Sequence, residues 1–345
     1  MDTHMETNRI HTTLKNTFRG EITCSTTLYE INQHPDLAAA KDILIGGGKG
    51  LFYGDYGKMT LAQLEERQPT WYAEDMVYGL NRLLEVARTN DEYIFYPVEE
   101  DKEHVQLFYL PAKEKKTKAF VLLCAGGGYG AVCTFVEALP VAARLNALGI
   151  DCFCLNYTTF RPEHMETGYM PAPLSDLAAA WKFVEKEQKR FEIDLNQYYV
   201  GGFSAGGHLA ALWGTEIGAV HYGIPEPQGL LLAYPLIAPR TIEGELGSLL
   251  HDGLAGKSKT DLVETLYSAE NQITENYPRT YLVQAVDDDT VPISNSELIE
   301  QALLEKKVDH LIERYPAGGH GFGLGSRLAS VPWIDTAVNY LGIGA

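Results

Sequence analysis

Gly202-Phe203-Ser204-Ala205-Gly206, continued by Gly207-His208-Leu209, has the G-x-S-x-G form of a nucleophile elbow. In that form the serine sits on a tight turn between a strand and a helix, where small neighbours permit strained dihedrals and leave Oγ exposed. The flanks fit this geometry: Tyr198, Tyr199 and Val200 form a short β-rich run before the turn, and residues 205–213 are helix formers after it. A glycine-rich turn at a strand end can also be purely structural. The weight on Ser204 therefore depends on what the rest of the chain offers it.

The strand, turn and helix around Ser204 recur as a rhythm from about residue 91 onward. Short β-rich runs alternate with helical patterns, the pattern of a mostly parallel sheet covered by helices on both faces. Strands are expected at residues 93–98, 105–110, 119–124, 150–155, before the elbow, and at 229–234, 281–285 and 310–315, about eight in all. Helices are expected near 135–148, 174–188, 294–305 and 332–341. Two regions stand outside this rhythm. Residues 1–90 hold a glycine-rich stretch at 45–57 and a helical pattern near 74–87, too little for a sheet domain, and are expected to be an extension packing on a 91–345 catalytic domain. Residues 237–277 form a polar insertion between two core strands, expected to act as a rim or cap because loops on a rigid scaffold carry specificity.

Composition sets the class. With 345 residues, 45% hydrophobic and 10% aromatic, the chain can build a substantial core. A net charge of -18 argues against nucleic acid or an anionic membrane surface as partner, because phosphate binding needs basic patches. The five cysteines are an odd number, without a C-x-x-C pair and several within apolar runs, so they read as buried free thiols. The first twenty residues lack an apolar core and no run approaches a membrane span. The expectation is a soluble, cytoplasmic protein.

A serine hydroxyl is a weak nucleophile at neutral pH and needs a base, an orienting acid and donors for an oxyanion. Behind an elbow the chain order is serine, acid, histidine, and this sequence supplies it. Asp287-Asp288-Asp289-Thr290-Val291-Pro292 follows the 281–285 strand, and Gly318-Gly319-His320-Gly321-Phe322-Gly323 follows the last one. His208, one turn into the elbow helix, reads as a packing or hydrogen-bonding residue, and the other histidines lack a motif. The fourth part is Cys124-Ala125-Gly126-Gly127-Gly128-Tyr129-Gly130, whose glycines leave backbone N–H groups free; Gly127 and Gly128, with the N–H of Ala205, are the oxyanion-hole candidates.

Two phosphate-binding readings compete and lose. Residues 126–131 match G-x-G-x-x-A, but the following strand ends in Leu155-Asn156-Tyr157 with no acid to hold a ribose. Gly46-Gly47-Gly48-Lys49-Gly50 lacks the Ser or Thr after its lysine and has Ile43 where a Walker loop has its first glycine. No spacing of His, Cys or acids marks a metal site. No cofactor is expected.

From about Phe120 to Gly344 the chain resembles serine esterases of the α/β-hydrolase superfamily, in the acetyl esterase and acetylxylan-esterase-like branch. The likeness is carried by A-G-G-G-Y at Ala125, G-F-S-A-G-G-H-L at Gly202, S-A-E-N-Q-I at Ser268, the D-D-x-V-P run at Asp288 and G-G-H-G-F-G-L-G at Gly318. It implies the α/β-hydrolase fold, Ser204 as nucleophile, His320 as general base and Asp288 as orienting acid, the last because the group's aspartate lies four residues before the proline. Asp287 and Asp289 stay open as alternatives. The chain departs from the group where Ala125 replaces the histidine that often opens the oxyanion loop. The implied activity is hydrolysis of short acyl esters, acetyl above all, with an acetylated carbohydrate or small alcohol as the other half. A peptidase on the same scaffold would bring a propeller that residues 1–90 cannot make, and a non-catalytic binder would normally have lost the serine or histidine. Oligomeric state is left open, a homo-oligomer included.

Overall fold

The computed structural model describes residues 19–46, 53–89, 94–99 and 101–344. The Gly47 to Gly50 part of the rejected phosphate loop lies outside them. At the centre is an eight-stranded sheet: β1 (Phe95–Pro97), β2 (Gln106–Leu110), β3 (Phe120–Cys124), β4 (Asp151–Asn156), β5 (Tyr198–Phe203), β6 (Gly229–Ala233), β7 (Thr280–Ala285) and β8 (His310–Tyr315). Their order across the sheet is β1-β2-β4-β3-β5-β6-β7-β8. The β1–β2 and β2–β4 pairs are antiparallel and every other pair is parallel. This is the α/β-hydrolase fold.

The longer helices are α1 (Ala73–Thr89), α2 (Ala138–Leu148), α3 (Ala172–Phe191), α4 (Ser204–Trp213), α5 (Gly244–Ala255), α6 (Ser294–Lys306) and α7 (Trp333–Leu341). Successive strand residues point to opposite faces, and β4 shows that both faces are covered. Cys152 Sγ lies 4.0 Å from the Ala142 carbonyl of α2, while the neighbouring Phe153 meets Phe191 of α3 with ring centres 5.0 Å apart. That is why β3, β4, β5, β6 and β7 are buried along their whole length and read as mainly apolar runs. The edge strand β8 is only half-buried. Helix α2 starts at Ala138, three residues later than the apolar periodicity suggests, because residues 134–137 form the turn that brings Glu137 beneath the glycine loop.

The N-terminal residues pack through α1, whose Tyr78 hydroxyl and Arg82 guanidinium donate to the Ala143 carbonyl and Asn146 side chain of α2, at 3.1 and 3.0 Å. Residues 237–277 are more ordered than their polar sequence suggests. Helix α5 buries Leu250 and Leu254, and the Asn295 amide oxygen of α6 accepts from the N–H groups of Ile237 and Ala238 at 2.9 and 3.0 Å. The cysteines are all free, but only Cys124, Cys152 and Cys154 are fully buried. Cys24 and Cys133 are half-buried, a correction to the expectation, since each lies in a loop rather than a strand. Among the described residues no helix is long and apolar enough to cross a membrane.

Candidate active site

Strand β5 runs straight into α4 at Ser204, whose backbone takes a left-handed φ of 51°. A side-chain-bearing residue in that region costs about 1–2 kcal/mol, and the surroundings have to hold it there. They do so through close packing. A Cβ on Gly202 would lie 2.1 Å from the Gly206 carbonyl oxygen, so only glycine fits at that place in the turn.

The acid and base converge on Ser204 from the ends of β7 and β8. His320 Nε2 lies 2.8 Å from Ser204 Oγ, and its Nδ1 lies 2.8 Å from Asp288 Oδ2. A carboxylate only accepts, so Nδ1 carries the proton and Nε2 offers its lone pair to the serine hydroxyl. Asp288 Oδ1 is held in turn by the N–H groups of Thr290 and Val291, at 3.0 and 2.8 Å, and Oδ2 by Gln284 Nε2 at 3.2 Å. The three adjacent acids thus separate by geometry. Asp288 alone reaches the imidazole; Asp287 accepts from the N–H groups of Gly318 and Gly319, both at 2.8 Å, and so fastens the base's own loop; Asp289 is exposed and meets Thr290 Oγ1 at 3.2 Å.

The glycine loop after β3 closes the constellation. Gly127 and Gly128 have φ of 128° and 59°, which turns their N–H groups away from regular structure, and neither donates to any described residue. Ala205 N–H belongs to the unpaired first turn of α4. All three residues line one cavity of about 200 Å³ with Ser204 and His320. The loop does not cap a helix: α2 begins only at Ala138, so a dinucleotide pyrophosphate would lack its helix N-terminus.

A family model described as BD-FAE matches residues 107–222, from β2 to beyond the elbow helix. The chain is 31% identical over 212 residues to endo-1,4-beta-xylanase B of Butyrivibrio fibrisolvens, covering 58% of this chain and 32% of that protein. It is 28% identical over 204 residues to an acetylxylan esterase of Xylanibacter ruminicola, covering 58% of this chain and 40% of that one. It therefore spans well under half the length of these curated relatives. Among solved structures, an acetyl ester-xyloside bifunctional hydrolase from Caldicellulosiruptor lactoaceticus matches with TM-score 0.61 and 29% identity, over 72% of this chain and 95% of that one. The chain has the α/β-hydrolase fold and is similar to acetylxylan-esterase-like members of that superfamily.

The glycine loop is braced by a residue the sequence did not bring forward. Glu137 is buried; its Oε2 accepts from Gly126 N–H at 2.5 Å and its Oε1 from the Tyr234 hydroxyl at 3.0 Å. Tyr234 Oη in turn accepts from Gly323 N–H at 2.9 Å, and its ring packs edge-on against His320 with centres 4.9 Å apart. One carboxylate therefore ties the glycine loop to the base loop, a brace that does not need the side chain missing at Ala125. Burial pushes the Glu137 carboxyl up to about 6, against the Gly126 hydrogen bond and the nearby His320, which pull it down. A lone glutamate in the apolar run Phe135-Val136-Glu137-Ala138-Leu139 was the available signal.

His208 is a structural residue of the elbow helix. Its Nε2 donates to the Tyr267 carbonyl at 2.6 Å, so its Nδ1 accepts from the Tyr129 hydroxyl at 2.8 Å. Burial pulls it down to about 4, keeping the ring neutral. Two segments distant in sequence complete the walls. The apolar one comes from Leu236, Ile242, Leu246 and Leu250; the other is Gln68 and Trp71, from the N-terminal residues. Between these two, Thr70 Oγ1 donates to the His320 carbonyl at 2.5 Å. Among the described residues no cluster of His, Cys, Asp or Glu could hold a metal ion.

Proposed function

We propose that this protein is a serine carboxylesterase that removes short acyl groups, acetyl above all, from esters of carbohydrates. The observation that carries this is the hydrogen-bonded chain from Ser204 through His320 to Asp288, with links of 2.8 Å, at one end of a small cavity. His320 Nε2 takes the hydroxyl proton as Ser204 Oγ bonds to the ester carbonyl carbon. The carbonyl π electrons move to the oxygen, which the N–H groups of Gly127, Gly128 and Ala205 receive. His320 then returns its proton to the departing alcohol oxygen as that C–O bond breaks. A water repeats the sequence on the acyl-enzyme, with His320 again as base, and releases the acid.

A cavity of about 200 Å³ suits an acetyl group and part of its alcohol better than a long acyl chain, and residues 237–277 act as its apolar wall. The carbohydrate half rests on the relatives named for acetylxylan and acetyl ester-xyloside chemistry. The test is a panel of acetyl, butyryl and octanoyl esters together with acetylated xylo-oligosaccharides. Highest kcat/KM on the acetyl members supports the proposal. Preference for octanoyl esters overturns it.

A further inference from the structure

We propose that Trp71 and Gln68 form a carbohydrate subsite on the leaving-group side of the site, with a pyranose ring of the acetylated sugar stacked on the indole. The inference rests on the esterase reading and adds to it where the alcohol half binds. In that chemistry the imidazole must hand its proton to the departing oxygen, so the alcohol lies beside His320. That is where the N-terminal segment arrives. Thr70 donates to the His320 carbonyl at 2.5 Å, and a Cβ on Gly321 would lie 3.1 Å from Trp71 Nε1, so the indole rests against the residue that follows the base.

The chemistry of the segment suits a sugar. Trp71 is half-buried in the cavity wall, and its indole N–H has no partner among the described residues; the Gln68 side-chain amide is exposed and equally unpartnered. An aromatic face, negative by its quadrupole, accommodates the C–H face of a pyranose, while an amide and an N–H answer its hydroxyls. The facing wall of Leu236, Ile242, Leu246 and Leu250 offers none of this. The platform is also fixed. Arg327, from the loop after the base, pairs with both Glu65 and Glu74 and lies 4.8 Å from the Tyr72 ring centre, and Glu65 accepts from Ala73 N–H at 2.8 Å. The family match starts at residue 107, beyond this segment, so the subsite is an addition to the matched part.

The test compares kcat/KM on an acetylated methyl xyloside with kcat/KM on ethyl acetate, whose alcohol has no ring to stack on an indole. Trp71→Ala lowers the ratio of the two by about tenfold or more, the surplus of about 1.4 kcal/mol appearing in KM for the sugar ester. Trp71→Phe restores most of the ratio, and Gln68→Ala, at an exposed position that does not threaten folding, lowers it by a smaller factor. A ratio unchanged in both Trp71→Ala and Gln68→Ala overturns the subsite while leaving the esterase reading intact. Calorimetric titration with the acetylated xyloside covers the converse. Trp71-dependent binding by a protein that cleaves neither ester keeps the subsite and removes the esterase reading.

Discussion

The two sides of this site are built differently. On the chemical side, Ser204, Asp288 and His320 each sit at the end of a parallel strand, within a few residues of the glycines or turn residues that aim them. On the enclosing side, Gln68 and Trp71, and Ile242 and Leu246, come from segments that meet only in the folded molecule. The difference teaches where each property is stored. Reaction chemistry resides in short local motifs that the sheet presents, whereas enclosure and selectivity reside in contacts across the chain.

The largest effect that separates the two sides is expected on the chemical side. Ser204→Ala or His320→Ala should lower kcat for p-nitrophenyl acetate by a factor on the order of 10⁶, with a melting curve close to that of the parent protein. Retained turnover would break the assignment. Asp288→Asn should follow at about 10⁴, since it leaves the ring without the carboxylate that orients it. Asp287→Asn, which loosens only the Gly318 and Gly319 contacts, should cost roughly tenfold. Equal losses at the two aspartates would contradict the division of labour between them.

Glu137 bridges the two sides and is expected to show an intermediate effect. Glu137→Ala should cost roughly 10- to 100-fold in kcat, through the oxyanion loop, while Glu137→Gln keeps an acceptor and retains more. The stability of the parent protein carries a further signature. The carboxyl is raised from 4.5 to about 6 in the fold, so folding favours its protonated form. That contribution is fully present below about pH 4.5 and is lost as pH rises through about 6, a change of about 2 kcal/mol. Glu137→Gln removes this dependence. Urea unfolding of both proteins at pH 4.5 and 7.5 should therefore show the glutamine variant gaining about 2 kcal/mol on the parent across that interval. A constant difference would mean that the carboxyl is not held as described.

The smallest effect belongs to the enclosing side. Arg327→Ala cuts the ion pairs to Glu65 and Glu74, which are partly exposed, and should cost about 1 kcal/mol or less, seen as a drop of a few degrees in Tm. A loss as large as that of a core substitution would mean that these ion pairs do more than fix the wall.

The same division explains what could be read in the sequence. The eight strands, the elbow, the glycine loop and the histidine loop were legible because each is announced by apolar runs or glycines within a span of a dozen residues. From the residues alone the acid was one of three adjacent aspartates, and only the family resemblance favoured Asp288, because what separates Asp287, Asp288 and Asp289 is the direction each side chain takes from the turn. Thr70 was out of reach: it lies 250 residues from its partner His320, in a region with few strand signals. Tyr234 also looked like one more residue of a buried strand, although its hydroxyl links Glu137 to Gly323. Helix α5 was hidden because its buried Leu250 and Leu254 stand among charged and glycine residues that dilute the period.

The central claim is that Ser204 is a nucleophile activated by His320. It is tested most directly by treating the folded protein with a fluorophosphonate and mapping the adduct by peptide mass spectrometry. The account predicts a single adduct on the peptide bearing Ser204, formed rapidly in the parent protein and slowed by several orders of magnitude in His320→Ala. No adduct on folded parent protein, or one on another serine, would contradict it.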